Sequence, residues 1–490
     1  HRLDLLYALS SQRELLLEWY DFEPEAEVLQ VGADYGALTG LLRSSVSAVT
    51  VLDETESALE TVRQRYPGAA NIYYRKDSLA GYAAEACAEG KKYDYVIFAG
   101  TLTAPYEKHI HAAKSLLKPE GILIVASANA LGMKYFAGTV EEENALTKRQ
   151  LTELLCGDRE TQSMADESGA LKFYYPMPDY KTPVSIYSDA YLPKKGDLTR
   201  VTPAYDYPPY HLMEQGEKFD TVCEAGLFDL YANSYLVFWS ADPKQLQKED
   251  ERIFMKYNKT RREEFQIKTC ICERNAAGAE SGNKERYVEK AALSLDGSAH
   301  IASFKEKYEK LTKQHRTLKV AEPKFAEHRN SVFFPYLVGE TCAEKLGEQL
   351  EGGQLPLDVL QIVMNQIYDI SPECRSAFIR TEEFDEVFGA DLTEEEQKLL
   401  LSDTACEVSN IDALFENMLM TREGIYCLDY EWVFLFPVPE HFVKYRILYY
   451  FYEQYSSVLK QLTLDQILGY FGITPEMAEV YRRMEVNFQN

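Results

Sequence analysis

The sequence predicts an α/β domain over residues 1–240, built on a mostly parallel sheet, and a separate α+β domain over residues 251–490. Between Glu27 and Val125 short apolar runs alternate with amphipathic stretches, the pattern of βαβ units. After a polar stretch at 241–250, which reads as a linker, strand-like runs come first and helices afterwards. A length of 490 residues exceeds one compact core, so two domains are the expected number.

In chain order, the strand candidates of the first domain are 28–31, 48–52, 72–74, 95–98 and 122–125, with helical patterns at 57–66 and 106–117 between them. Lys118-Pro119-Glu120-Gly121 is a turn signal feeding the fifth strand. Residues 127–240 are richer in Tyr and Pro and less regular. In the second domain the expected order is two strands with a turn, a third strand, a helix at about 300–315, and two more strands. From about Leu355 the chain reads as mainly helical, interrupted between Asp412 and Trp432. No internal repeat or low-complexity tract is present.

The hydrophobic fraction of 46% and charged fraction of 27% are those of an ordinary globular protein. There is no apolar run of about 18 residues, so no direct membrane insertion is expected. No signal-peptide pattern is visible; the chain opens at His1 without a Met, and a preceding stretch is expected. A net charge of -26 argues against a nucleic-acid partner, because phosphate backbones are bound by clustered Lys and Arg. The nine cysteines form no CxxC and no framework spacing, and the close pair Cys270 and Cys272 falls in a strand-like run. Their pattern indicates a reducing compartment, hence a cytoplasmic protein. His109 and His111 stand on opposite sides of a helix, so no metal site is expected there.

The run Val28-Leu29-Gln30-Val31-Gly32-Ala33-Asp34-Tyr35-Gly36 ends a strand and opens a helix. At such a junction glycines admit a ligand close to the backbone, and free N–H groups bind its polar end. Asp53 follows the second strand about twenty residues on, where a carboxylate takes two ribose hydroxyls. Asp77 and Ser78 follow the third. The full GxGxxG of NAD enzymes is absent. These three strand ends point to S-adenosylmethionine, with Gln30, Gly32, Asp34, Gly36, Asp53, Asp77 and Ser78 as the expected cofactor-binding residues.

Three further runs are recognisable: 123–138, which contains Asn129 and Met133-Lys134-Tyr135-Phe136; Tyr175-Pro176-Met177-Pro178-Asp179-Tyr180-Lys181; and Tyr231-Ala232-Asn233-Ser234-Tyr235-Leu236-Val237. Together they resemble class I Rossmann-like methyltransferases encoded in bacterial surface-polysaccharide clusters. The chain departs from that family where acidic residues are usual, at Gln30, Thr103 and Ala128, and in the acidic-His cluster near Glu141 to Glu143. A neutral Gln30 holds the methionine amine more weakly than a carboxylate, and no general base is evident, which implies slow methyl transfer.

In the second domain Ile411-Asp412-Ala413-Leu414-Phe415-Glu416-Asn417 contains D-x-x-x-x-N, and Leu428-Asp429-Tyr430-Glu431 follows after a turn at Thr421-Arg422-Glu423-Gly424. In kinases the first Asp orients the acceptor hydroxyl, the Asn holds Mg²⁺ and the second Asp bridges metal and phosphates. Upstream, Lys290 on the third strand would reach the phosphates, Glu309 or Glu306 on the next helix would pair with it, and residues 333–340 would form the adenine hinge. The set resembles an aminoglycoside- or choline-kinase-type domain, with Asp412 and Lys290 as catalytic residues, Asn417 and Asp429 as metal ligands, and ATP with Mg²⁺ as cofactors. Two departures are Asn410 in place of the usual His, and a phosphate loop, 257–263, without glycine but with Arg261 and Arg262.

The combination resembles bifunctional O-antigen chain-capping enzymes, which implies a glycan or glycolipid acceptor and glycosyltransferases as neighbours. The alternative is a scaffold in which both halves are degenerate.

Overall fold

The computed structural model describes residues 8–157, 169–199, 212–275, 284–326, 330–351, 357–389, 391–456, 458–459 and 462–489; His1 lies outside them. The chain divides into two compact units, His1–Glu289 and Lys290–Asn490.

In the first unit β1 (Glu27–Val31), β2 (Ala48–Asp53), β3 (Ile72–Lys76), β4 (Tyr93–Ala99) and β5 (Leu117–Ala128) form a parallel sheet in the order 3-2-1-4-5. Val28 faces Val49 on one side and Tyr95 on the other. β1, β2, β4 and the second half of β5 are buried because helices Glu56–Arg65, Leu79–Ala88 and Tyr106–Ser115 alternate with the strands, which is why they read as continuous apolar runs, whereas β3 is an edge strand with Tyr73, Arg75 and Lys76 exposed. β6 (Ala170–Met177), β7 (Ser185–Ser188) and β8 (Ser234–Ser240) extend the sheet, with β8 antiparallel between β5 and β6.

The turn signal at Lys118 lies inside β5. The register passes from Tyr93↔Leu117 to Tyr95↔Ile122, so residues 118–121 loop out beside Asp94, whose carboxylate accepts from Lys118 Nζ at 2.8 Å.

The division between units falls later than the polar stretch at 241–250. There the chain makes only a short turn of helix, Pro243–Leu246, and β9 (Asp250–Tyr257) then adds to the free edge of β7, with Ile186 opposite Met255. β10 (Ile267–Asn275) pairs with β9, and the first unit ends within β11 (Lys284–Ala292). Edge hydrogen bonding thus carries the first unit past the composition change.

The second unit continues with helix Ser298–Gln314 and the short strands β12 (Lys319–Val320), β13 (Lys324–Phe325), β14 (Ser331–Pro335) and β15 (Glu340–Thr341). Helices Cys342–Glu351 and Leu357–Ile367 follow, then β16 (Arg375–Ala377), β17 (Thr404–Cys406) and β18 (Ser409–Asn410). β19 (Met418–Thr421) and β20 (Gly424–Cys427) form the hairpin expected around Thr421-Gly424. After β21 (Val433–Phe434) and β22 (Val438–Pro439) come helices Glu440–Tyr455, Leu464–Tyr470 and Pro475–Gln489. Phe304, Phe334 and Tyr430 meet edge to face and lock the long helix onto β14 and onto the segment after β20.

All nine cysteines are free. Among the described residues no helix is long and apolar enough to cross a membrane, and no cluster of His, Cys, Asp and Glu is arranged to hold a metal.

Leu123, fully buried in β5, is a sensitive reporter of the first unit. Leu123→Ala is expected to cost about 2–5 kcal/mol, the range of a leucine-to-alanine cavity, in urea unfolding.

Candidate functional site

The sheet order of the first unit reverses between β1 and β4, and the crevice at such a switch point is where open α/β sheets bind ligands. Gly32 has φ +87°, and a Cβ there would lie 2.5 Å from Thr101 Cγ2, so only glycine lets the β1 loop rest against the end of β4. Gln30 is buried. Its amide donates to the carbonyls of Gly32 and Ala33 at 3.1 and 3.4 Å, and its Oε1 accepts from Thr39 Oγ1 at 2.8 Å, so this side chain braces the loop. The Asp53 carboxylate accepts from Ala33 N–H at 2.9 Å and Thr55 N–H at 2.8 Å, which joins the β1 loop to the end of β2. Asp77 accepts from Ser78 N–H, and Ser78 Oγ caps helix Leu79–Ala88 through Gly81 N–H. Gly36, at φ +74°, packs under Tyr66.

Asp34 is held in an ion pair by Arg13, which the sequence reading missed. Arg13 is 4% exposed, and its Nε and Nη1 have no hydrogen-bond partner among the described residues. Its guanidinium also lies 5.8 Å from the centre of the Tyr180 ring. A buried cation with two unpaired nitrogens beside a glycine loop is completed by an anionic ligand group such as a carboxylate. The α-carboxylate of S-adenosylmethionine fits that requirement, and Asp53 at the end of β2 fits its ribose.

Next to this loop a cavity of about 300 Å³ opens at the ends of β4 and β5, lined in part by Gly100, Ser127, Glu142, Glu143 and Tyr180. Behind it Lys134 is entirely buried. It pairs with the buried Asp179 and, at 2.8 Å, with Glu142, which also takes Lys181 at 3.1 Å and the Tyr180 hydroxyl at 3.3 Å. Burial opposes the charge on Lys134, but Asp179 and Glu142 carry its pKa well above the ordinary lysine value. Burial would likewise raise Asp179, but the Lys134 and Lys181 charges hold it below the ordinary aspartate value. Burial, with Glu142 and Asp179 adding, pushes the Tyr180 phenol well up, so it stays protonated.

The three runs 123–138, 175–181 and 231–237 meet here. Asn233 Oδ1 accepts from Lys134 N–H at 2.8 Å, and Asn233 Nδ2 donates to the Pro178 carbonyl at 2.9 Å. Asn129 donates to the carbonyls of Leu230 and Ala232. Of the tyrosines at 173–180, Tyr174 and Tyr175 are core residues and Tyr180 lines the cavity.

The parallel order 3-2-1-4-5, followed by antiparallel β8 between β5 and β6, decides the fold. The first unit has a Rossmann-like α/β fold. No family model and no curated protein matches the chain. Among solved structures, it is similar to the N-methyltransferase NodS from Bradyrhizobium japonicum WM9 in complex with S-adenosyl-L-homocysteine. That match has 20% identity and a TM-score of 0.21, and covers 24% of this chain and 60% of that one. A SAM-dependent methyltransferase from Thermotoga maritima, described as a possible histamine N-methyltransferase, matches at 13% identity with a TM-score of 0.29, covering 49% of this chain and 92% of that one. An rRNA methylase from Streptococcus thermophilus matches at 17% identity with a TM-score of 0.24, covering 35% and 88%.

In the second unit, Lys290 Nζ lies 2.8 Å from Asp429 Oδ1 and also contacts Glu431. The expected partners, Glu306 and Glu309, are exposed on helix Ser298–Gln314, and Glu306 pairs with Lys310. The helix instead turns Lys307 inward, where Nζ donates to the Glu431 carbonyl. Glu431 takes the place expected of an acid on that helix. Burial opposes the Lys290 charge, but Asp429 and Glu431 raise its pKa above the ordinary value; burial lowers that of Lys307 to about 8 despite Glu431.

Asp412 follows β18, its N–H bound by Asn410 Oδ1 at 3.0 Å, and its carboxylate accepts from Trp432 N–H at 3.3 Å. Burial and the charge of Asp429 push its pKa up to about 7, with Arg446 Nη2, 3.9 Å away, opposing. Asn417 Nδ2 donates to the Asp412 carbonyl at 2.9 Å, and its own carbonyl accepts from Leu428 N–H, which sets it across the ladder beside Asp429. Lys290, Asp412, Asn417 and Asp429 are therefore brought together, and Asp429, 37% exposed, is the carboxylate open to solvent. Arg261 and Arg262 lie in the loop after β9 in the first unit, where the Arg261 carbonyl takes Gln266 Nε2 at 2.8 Å.

Removing one partner of a buried ion pair strands the other. Lys134→Met is expected to destabilise the first unit by about 3–5 kcal/mol in urea unfolding at pH 7. Because Asp179 has a depressed folded-state pKa, its stabilising contribution is present above its ordinary value of 3.8 and is lost as pH falls below it. The difference between wild type and Lys134→Met should therefore shrink under acid titration.

Proposed function

We propose that this chain is an S-adenosylmethionine-dependent methyltransferase carrying a kinase-like nucleotide-binding unit, and that it modifies a cell-surface polysaccharide or its glycan precursor in the cytoplasm. The observation that carries the first half is Arg13, a buried guanidinium with two nitrogens unpaired among the described residues, between the β1 loop and the cavity at β4 and β5. Arg13 would hold the carboxylate of the cofactor, Asp53 its ribose, and the loop around Gly32 its backbone contacts. When bound, S-adenosylmethionine supplies an electrophilic methyl group. The residues of the cavity orient the acceptor: Glu142 and Tyr180 offer it a hydrogen-bonding edge, and the Lys134–Asp179 pair fixes that edge in place.

The second half rests on Lys290, Asp412, Asn417 and Asp429 around one cleft. Asn417 and Asp429 offer hard oxygen donors suited to Mg²⁺, Lys290 a phosphate contact, and Asp412 a carboxylate to orient an acceptor hydroxyl. ATP with Mg²⁺ would supply the phosphoryl group. A glycan or glycolipid acceptor, and glycosyltransferases as neighbours, follow from the resemblance of the three runs that meet at Lys134. The scaffold reading draws on two specific observations: Gln30 is committed to its own loop, and Lys290 is held by two carboxylates at once.

Calorimetry separates the readings. S-adenosylmethionine is expected to bind, and Asp53→Ala to weaken it by about 1–3 kcal/mol, the scale of hydrogen bonds to a charged group. Equal affinity for the variant removes Asp53 from the site. For the second unit, Asp429→Ala is expected to abolish Mg²⁺-dependent ATP binding, whereas Asp412→Ala keeps binding and loses phosphotransfer. A melting temperature that neither ligand raises favours the scaffold.

A further inference from the structure

The second unit holds another cavity, of about 270 Å³, that neither cleft above uses. It lies between helices Leu357–Ile367 and Glu440–Tyr455 and the end of helix Leu464–Tyr470. Gln361, Met364, Asn365 and Tyr368 reach it at the i, i+3, i+4, i+7 spacing of one helical face.

One wall carries two cations and one internal counter-charge. Arg375 donates through Nε to Glu440 at 2.9 Å and through Nη2 to the Tyr368 carbonyl at 3.3 Å. Lys444 lies over the Tyr368 ring, 5.4 Å from its centre, and 3.9 Å from Glu440, beyond hydrogen-bonding distance. One buried carboxylate therefore serves both cations of this wall, while Asp358 stands on the aromatic side, bound by the Tyr470 hydroxyl.

The polar lining is complementary to hydroxyls. Gln361 Nε2 donates to Asn365 Oδ1 at 2.8 Å, leaving Gln361 Oε1 as an acceptor and Asn365 Nδ2 as a donor. Tyr470 and Phe471 form an aromatic wall, with the Tyr470 hydroxyl committed to Asp358. At the same edge stands His441, one turn before Lys444. The almost completely buried Asp403 takes its Nδ1 at 2.7 Å, and its Nε2 lies 3.8 Å from the position of a Cβ on Gly472.

We propose that this cavity binds a sugar phosphate. The phosphate meets Lys444 and Arg375, ring hydroxyls meet the Gln361–Asn365 pair, and the apolar ring face lies on Tyr470 and Phe471. The volume is near the lower end of small-molecule sites, which suits one monosaccharide unit.

Titration calorimetry of the full chain with glucose 6-phosphate, inorganic phosphate and glucose tests this. Glucose 6-phosphate is expected to saturate a site at least about tenfold more tightly than either other probe, because it engages both walls. Lys444→Gln, which keeps a polar stem over Tyr368, should weaken glucose 6-phosphate about tenfold or more. Gln361→Ala should weaken glucose 6-phosphate but not inorganic phosphate. Each variant is checked for an unchanged melting temperature. Absence of saturable binding, or binding indifferent to Lys444→Gln, overturns the site. Inorganic phosphate binding as tightly as glucose 6-phosphate overturns the sugar part of the assignment.

Discussion

The first unit is organised around a single ammonium group that water does not reach. Lys134 is fully buried, and an ion in that position is tolerated only when it is paired and hydrogen-bonded. Asp179 and Glu142 meet that demand from two different loops, and Asn233 ties the backbone of Lys134 and of Pro178 to the start of β8. The cavity at the ends of β4 and β5 inherits its polar edge from this arrangement, because Glu142 and Tyr180 line it while fixed from behind. A hydrophobic residue at 134 would leave Asp179 buried without its cation and Glu142 without its anchor.

The second unit solves a related problem differently. Lys290 is almost as buried as Lys134, but its partners Asp429 and Glu431 lie two residues apart on one segment. Glu431 is buried with the lysine and Asp429 is not, so the pair has a fixed half and an exchangeable half. In the proposed nucleotide-binding role Asp429 would turn toward a metal while Glu431 keeps Lys290 in place. Lys307, bound to the Glu431 carbonyl, holds that segment from the helix side.

Much of the fold was legible because it depends on local patterns. The five parallel strands are apolar runs of the right length, and the turn at Thr421-Gly424 carries its own glycine at φ +127°. The position of the unit boundary was not legible, since whether β9 joins the free edge of β7 depends on backbone pairing across a long stretch of sequence. The site was half legible. Gly32, Asp53, Asp412, Asn417 and Asp429 have motif spacings, whereas Arg13, Glu142 and Lys307 act through partners distant in sequence. Lys134, Asp179 and Asn233 were visible as members of three separate runs, but what joined them was a buried ion pair and an asparagine bridge, and neither has a spacing signature. The assignment of Glu306 or Glu309 to Lys290 failed for a simple reason. A step of one residue along a helix turns the side chain by about 100°, and here it is Lys307, between Glu306 and Glu309, that faces the core.

The cations in these clefts share a feature that bears on how an anionic ligand enters. In a chain with a large acidic excess, a buried Lys or Arg is readily neutralised by its own carboxylates, and Lys134 and Lys290 both are. Such cations gain little from a new anion unless a partner leaves. Arg13 differs, because among the described residues Asp34 is its one carboxylate, which satisfies one nitrogen and leaves Nε and Nη1 without a partner. A ligand carboxylate there adds hydrogen bonds without displacing any, while Asp34 stays to offset the remaining charge. At Lys290 the same gain would require Asp429 to be drawn away, which the proposed divalent cation would do and a lone anion would not. On the proposed function, the first cleft would take an anionic group alone, and the second an anion arriving together with a metal.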